Sequence, residues 1–122
     1  MSSSSVWLVL AITAVVIVLG RSSQLSDQQI REYLKAGAIV IDVRTAAEFN
    51  AGHLSSAINI PLEQLETLVP NAVKDKNQVI LLHCASGMRR GMGVGKLKAR
   101  GYTKVFNLGS FGRAAGILGP VV

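Results

Sequence analysis

Two short apolar runs constrain what this chain can fold into more than any other feature. Ala38–Val43 reads AIVIDV, with Asp42 near its end, and Val79–His83 reads VILLH. Neither run alternates polar and apolar residues, so neither suits a strand with one wet face. A continuous Val/Ile/Leu run of this length fits a strand buried on both sides. Such a strand needs helices above and below it, and the intervening sequence supplies them. Ser26-Asp27-Gln28-Gln29 reads as a capping box, with Ser26 as N-cap and Gln29 three positions into the helix. Ile30, Tyr33 and Leu34 give that helix its apolar stripe, and Gly37 ends it as a left-handed cap. Thr45-Ala46-Ala47-Glu48 is a second capping box, closed by Gly52. Ala57–Ile60 is a short strand stopped by Pro61, after which Leu62, Leu65, Leu68 and Val69 carry helical spacing that Pro70 ends. Residues 90–100 form a helix weakened by Gly91, Gly93 and Gly95, each costing about 1 kcal/mol relative to alanine. Gly91 and Gly95, four apart, would let it approach the sheet closely, and Gly101 caps it. Val105–Asn107 is the last strand, and residues 109–119 form a glycine-rich tail. This alternation predicts an α/β fold: a small, mostly parallel sheet flanked by helices.

Residues 24–122 carry that domain, and residues 1–23 are of another kind. Val6–Leu19 reads VWLVLAITAVVIVL, uncharged and with Thr13 its only polar residue. It falls short of the roughly 20 residues that span a bilayer comfortably, and Ser4, Ser5 and Gly20 extend it toward that length. Trp7 stands where an interfacial indole is expected. A cleaved signal peptide would carry positive charge ahead of the apolar run and a small-residue cleavage site. MSSSS supplies only the amino terminus, and Val18-Leu19-Gly20 is a poor site with Arg21 directly after it. An uncleaved single-pass N-terminal membrane anchor through residues 6–20 is therefore expected. Arg21, Arg31 and Lys35 on its C-terminal side put the soluble domain in the cytoplasm by the positive-inside rule.

The chain of 122 residues carries a formal charge of +6, and the charge is unevenly placed. Asp75 is the last acidic residue, with Lys76, Arg89, Arg90, Lys96, Lys98, Arg100, Lys104 and Arg113 beyond it. A one-signed half points to an anionic partner. Nucleic acid is not expected, because aromatics are sparse at 5% and no aromatic-interleaved basic motif occurs. No metal-ligand spacing and no cofactor motif appears.

The chemistry concentrates at residues 79–91, VILLHCASGMRRG. A buried strand here delivers the only cysteine of the chain, Cys84, to a loop of Ala85, Ser86, Gly87, Met88, Arg89 and Arg90. A lone thiol among loop N–H groups, near a helix start and beside two arginines, is favoured as the thiolate nucleophile. The competing reading is a buried structural cysteine. Ligands on parallel sheets sit beyond the carboxyl ends of strands, where Cys84 and Asp42-Val43-Arg44 both fall. Two reactions use such a site. In sulfur transfer the thiolate takes sulfur from an anionic donor such as thiosulfate, holds it as a persulfide, and yields it to cyanide, a thiol or a protein. In phosphate monoester hydrolysis a wider loop and an arginine bind phosphate oxygens. His83-Cys84 followed after five residues by Arg90 fits the second, HC-x5-R; Cys84, Gly87 and Arg89 fit C-x-x-G-x-R of the first. A third class, a non-catalytic membrane-tethered persulfide carrier, would keep the same letters. Arg89 and Arg90 are the candidate anion attractors and Ser86 a candidate hydrogen-bond donor. His83, one step before the nucleophile on its strand, should point away from the pocket. His53 reads as a loop-packing residue.

The wider chain separates these alternatives. Ile41-Asp42-Val43-Arg44, Glu48-Phe49, Gly52-His53-Leu54 and Ala57-Ile58-Asn59-Ile60-Pro61 closely resemble the rhodanese (thiosulfate sulfurtransferase) signature over about residues 25–109. The resemblance implies a rhodanese-like fold and a single-domain sulfurtransferase. It implies that Cys84 carries the persulfide, that the backbone of Ala85 to Arg89 cradles it, and that Asp42 and Arg44 support the site edge. The chain departs from the pattern at three places. Ser56 stands where glycine is usual, and Arg90 where a small hydroxyl residue is common. Leu108-Gly109-Ser110-Phe111 replaces a paired glycine followed by an aromatic-containing helix. Arg90 keeps open a phosphatase or arsenate-reductase-like use of the same loop.

Overall fold

The structure, a computed structural model, describes residues 25–84 and 87–122, with the backbone alone at 87–90. Helix α1 (Asp27–Lys35) opens with the expected box: the Ser26 hydroxyl accepts from the Gln29 N–H at 3.2 Å, and Gln29 Oε1 accepts from the Ser26 N–H at 3.0 Å. Strand β1 (Ile39–Asp42) leads to α2 (Ala46–Ala51), whose Thr45–Glu48 box is likewise complete. Strand β2 (Ala57–Asn59) is followed by a 3-10 turn (Leu62–Gln64) and α3 (Leu65–Ala72). Strand β3 (Ile80–His83), α4 (Gly87–Ala99), β4 (Val105–Gly109) and α5 (Phe111–Leu118) complete the domain. The strands form one parallel sheet in the order β2-β1-β3-β4.

Alternation along the strands assigns the two cores. Ile41, Val43, Ile80, Leu82 and Cys84 face one side, packed with Leu65 and Val69 of α3 and Val94 and Leu97 of α4. Val40 and Leu81 face the other, packed with Ile30 of α1 and Ala114 of α5. Both central strands are thus covered on both faces, the arrangement their unbroken apolar runs predict.

Four local expectations are corrected. Pro70 does not end its helix, which runs on to Ala72. The ring removes a single late hydrogen bond, and burial of Leu65 and Val69 holds the helix in place. Helix α4 opens at Gly87 rather than 90, so Gly87, Met88, Arg89 and Arg90 form its first turn instead of a longer loop. The close approach to the sheet is made at Gly93, where a Cβ would meet Leu82 Cδ1 at 3.0 Å and Leu65 Cδ1 at 3.2 Å; Gly91 and Gly95 face open space. The glycine-rich tail is helix α5. Ser110 caps it by accepting from the Arg113 N–H at 3.1 Å, and Ala114 is buried while Gly112 and Gly116 lie on the exposed side. Burial of the apolar side outweighs the low helix propensity of the glycines. The membrane segment expected at residues 6–20 lies outside the described residues. Among the described residues no helix is long and apolar enough to cross a membrane.

Candidate active site

Cys84 leaves the carboxyl end of β3 fully buried, in the core that also holds Val43, Leu62 and Val94. The strand end is fixed across the sheet, since the Val43 N–H donates to the His83 carbonyl at 3.1 Å. Residues 85 and 86 alone separate Cys84 from the first helical residue, Gly87. The first N–H groups of a helix have no intrahelical acceptor and carry its positive end. Here they are those of Gly87 to Arg90, and they follow directly on the thiol. Ala85 and Ser86 lie outside the described residues, as do the side chains of Met88, Arg89 and Arg90.

Asp42 and Arg44 belong to the other face. Asp42 is fully buried and Arg44 nearly so. Arg44 Nε donates to both carboxylate oxygens at 3.0 Å, Nη2 donates to Oδ2 at 2.8 Å, and the Arg44 main-chain N–H donates to Oδ1 at 2.9 Å. Nη2 also donates to the Gly52 carbonyl at 2.8 Å, and the guanidinium lies 4.5 Å over the Phe111 ring. His83, paired in register with Asp42, places Nε2 3.8 Å from Asp42 Oδ2 and its ring 6.0 Å from that of Phe111. The expectation that His83 points away from the thiol therefore holds. Asp42 and Arg44 brace the strand end from behind instead of lining the Cys84 face. Sequence reasoning missed two members of this brace. Asn59 Nδ2 donates to the Asp42 and Arg44 carbonyls at 3.0 and 2.9 Å, and Phe111 supplies the aromatic face. A polar amide closing a strand two residues before proline was the available signal for Asn59.

His53 packs a loop, as expected: its ring stacks on Phe49 at 3.7 Å, and Nδ1 donates to the Phe49 carbonyl at 2.8 Å. Several cations of the basic half are matched internally. Lys96 Nζ lies 3.2 Å and Arg100 Nε 3.4 Å from Glu66, and the Lys96 hydrogen bond foremost holds the exposed Glu66 carboxyl below its ordinary value. Lys76 lies 4.1 Å over the Tyr102 ring, and Arg113 pairs with Asp27 at 2.9 Å. Among the described residues no cluster of His, Cys, Asp and Glu could hold a metal ion.

The chain is similar to known proteins. The Escherichia coli thiosulfate sulfurtransferase PspE is 38% identical over 69 residues, which are 57% of this chain and 66% of its own length. The uncharacterised Bacillus subtilis protein YqhL is 35% identical over 109 residues, covering 83% of this chain and 85% of YqhL. A solved Escherichia coli rhodanese with anions superposes with a TM-score of 0.64 at 34% identity, over 70% of this chain and 98% of that one. The family model described as a rhodanese-like domain matches residues 26–111. The chain belongs to the rhodanese-like family.

Proposed function

We propose that this protein is a sulfurtransferase whose nucleophile is Cys84. The Cys84 thiolate attacks the outer sulfur of thiosulfate or a similar anionic donor. A sulfur–sulfur bond forms on Cys84, the donor's own sulfur–sulfur bond breaks, and sulfite leaves with the electron pair. A nucleophilic acceptor, cyanide or a thiol, then takes the outer sulfur and returns the thiolate. The backbone N–H groups from Ala85 to Arg89 hold the negative charge of the persulfide. Arg89 and Arg90 draw in the anionic donor, Ser86 donates to it, and Asp42 with Arg44 keeps the strand end in place. Residues 6–20 tether the enzyme to the membrane, with the catalytic domain on the cytoplasmic side.

The observation that carries this reading is the position of Cys84, delivered by a buried strand and separated from a helix start by residues 85 and 86 alone. A thiol two residues ahead of a helix start sets the unpaired first N–H groups of that helix beside the negative charge a persulfide carries. The full chain and its Cys84→Ser variant test it together, expressed in cells whose membrane and soluble fractions are assayed for thiosulfate-to-cyanide transfer and aryl phosphate hydrolysis. Transfer confined to the membrane fraction and lost in the variant is expected. Phosphate release without sulfur transfer would refute the reaction, and activity confined to the soluble fraction would refute the tether.

A further inference from the structure

β4, the strand beside the one that delivers Cys84, carries an irregularity at the last step of their pairing. Ile80, Leu81 and Leu82 of β3 pair in order with Val105, Phe106 and Asn107 of β4, but His83 pairs with Gly109, and Leu108 is passed over. An extra residue on one strand bends the pair and increases its twist. This one, on β4, lies opposite the step from Leu82 to His83, immediately before the nucleophile.

Two contacts hold the bulge, and Gly109 takes φ +105°, a conformation open to glycine. The Gly109 N–H donates to Asn107 Oδ1 at 2.9 Å. The second contact is Arg113 on α5, whose Nη1 donates to the carbonyl of Leu108, the passed-over residue, at 3.0 Å. Its Cδ would lie 2.8 Å from a Cβ at Gly109, so the side chain occupies the space the glycine leaves. The same guanidinium reaches far along the sequence, Nη2 donating to the Leu25 carbonyl at 2.8 Å and to Asp27 Oδ1 at 2.9 Å. One side chain thus joins the bulge to the start of α1, where the N-terminal segment enters the domain.

We propose that Arg113 is a positioning residue for Cys84: by holding the Leu108 carbonyl it fixes the bulge, and through the bulge the direction in which the thiol is presented. The proposal rests on Cys84 being the reactive nucleophile, but its test does not depend on which substrate the enzyme uses. Because Cys84 is the only cysteine, iodoacetamide alkylation of the full chain reports on it alone. Alkylation rates are measured against pH, under native conditions, for the parent and for Arg113→Met, Arg113→Lys and Asp27→Asn. Arg113→Met should slow alkylation about tenfold, a shift smaller than the roughly hundredfold that a misplacement of about 1 Å can cost. Arg113→Lys, which can still donate to one carbonyl, should recover part of the loss. Asp27→Asn removes only the exposed outer pair and should stay within about twofold of the parent. The sign separates positioning from simple destabilisation, because a merely loosened protein exposes its buried thiol and alkylates faster. Unchanged or faster alkylation in Arg113→Met would overturn the proposal. Should that variant not fold, Asn107→Ala removes the other support of the bulge, and a parent-like rate there would overturn it equally. Slowed alkylation in a protein that transfers no sulfur would reject the sulfurtransferase reading and leave this one standing.

Discussion

Asp42→Ala should be among the most damaging single substitutions outside the thiol loop, and its cost can be worked from the contacts. The carboxylate is fully buried and accepts from the Arg44 main-chain N–H, from Nε and from Nη2. Removing it leaves a guanidinium whose side chain is 9% exposed with the Gly52 carbonyl and the Phe111 face. Breaking a buried, hydrogen-bonded pair from one side costs about 3–5 kcal/mol, because the remaining charge is stranded away from water. A domain of this size holds only about 5–15 kcal/mol in total, so the loss is about a fifth of its stability or more. With an m-value of about 1–3 kcal/mol/M in urea, the unfolding midpoint followed by circular dichroism should fall by about 2 M. The double variant Asp42→Ala with Arg44→Met should be milder than the sum of the singles, since no unpaired charge remains. A single-variant cost below about 1 kcal/mol, or additive singles, would mean that water screens the pair and that the brace does not hold the strand end.

The glycines of α4 should respond with opposite signs. Gly91→Ala and Gly95→Ala, facing open space, should each stabilise by about 1 kcal/mol in urea unfolding, as helix propensity alone dictates. Gly93→Ala meets Leu82 and Leu65 at 3.0 and 3.2 Å, so overpacking of about 1–3 kcal/mol should cancel or exceed that gain; stabilisation equal to its neighbours' would show that the helix does not sit so close to the sheet. Glu66 has its folded-state value depressed below 4.5, so its contribution to stability is present above the unfolded value and is lost as pH falls through the folded one. Its carboxyl should titrate by NMR below the ordinary range, and Lys96→Met should move it back up; no movement would remove Lys96 as the cause.

Much of the fold was legible because burial and capping write themselves locally. Asp42, inside an otherwise apolar run, did not obscure β1, and both capping boxes formed as read. The errors share another cause: they lie where tertiary contact overrides local preference. Pro70 and the glycines of 109–119 argue against helix taken singly, yet Val69 and Ala114 are buried on helices that continue past or through them. Gly91 and Gly95 have a suggestive spacing, but only the position of the helix against β3 shows that Gly93 is the contact. Of the candidate site, the placing of Cys84 at the carboxyl end of a buried strand, just ahead of a helix, was readable from its neighbours. Asp42 and Arg44 pair with each other, as their adjacency suggested; that they do so on the face away from Cys84 was not readable, because the register that sets Asp42 beside His83 belongs to the fold.

The strand order has a consequence for the chain as it is made. Among the described residues β1 is the first strand to emerge, yet it lies inside the sheet, between β2 and β3. One edge is closed when Ala57 arrives to pair with Val40, but the other waits for Ile80 to meet Ile39. At a synthesis rate of roughly 5–20 residues per second, that second edge stays open for roughly two to eight seconds. Within that interval the apolar Ile39–Asp42 segment is first unpaired and then, once β2 has arrived, paired on one edge alone; an open edge of this kind is a template for a second copy of the nascent chain until β3, the strand that leads to the thiol, has been translated.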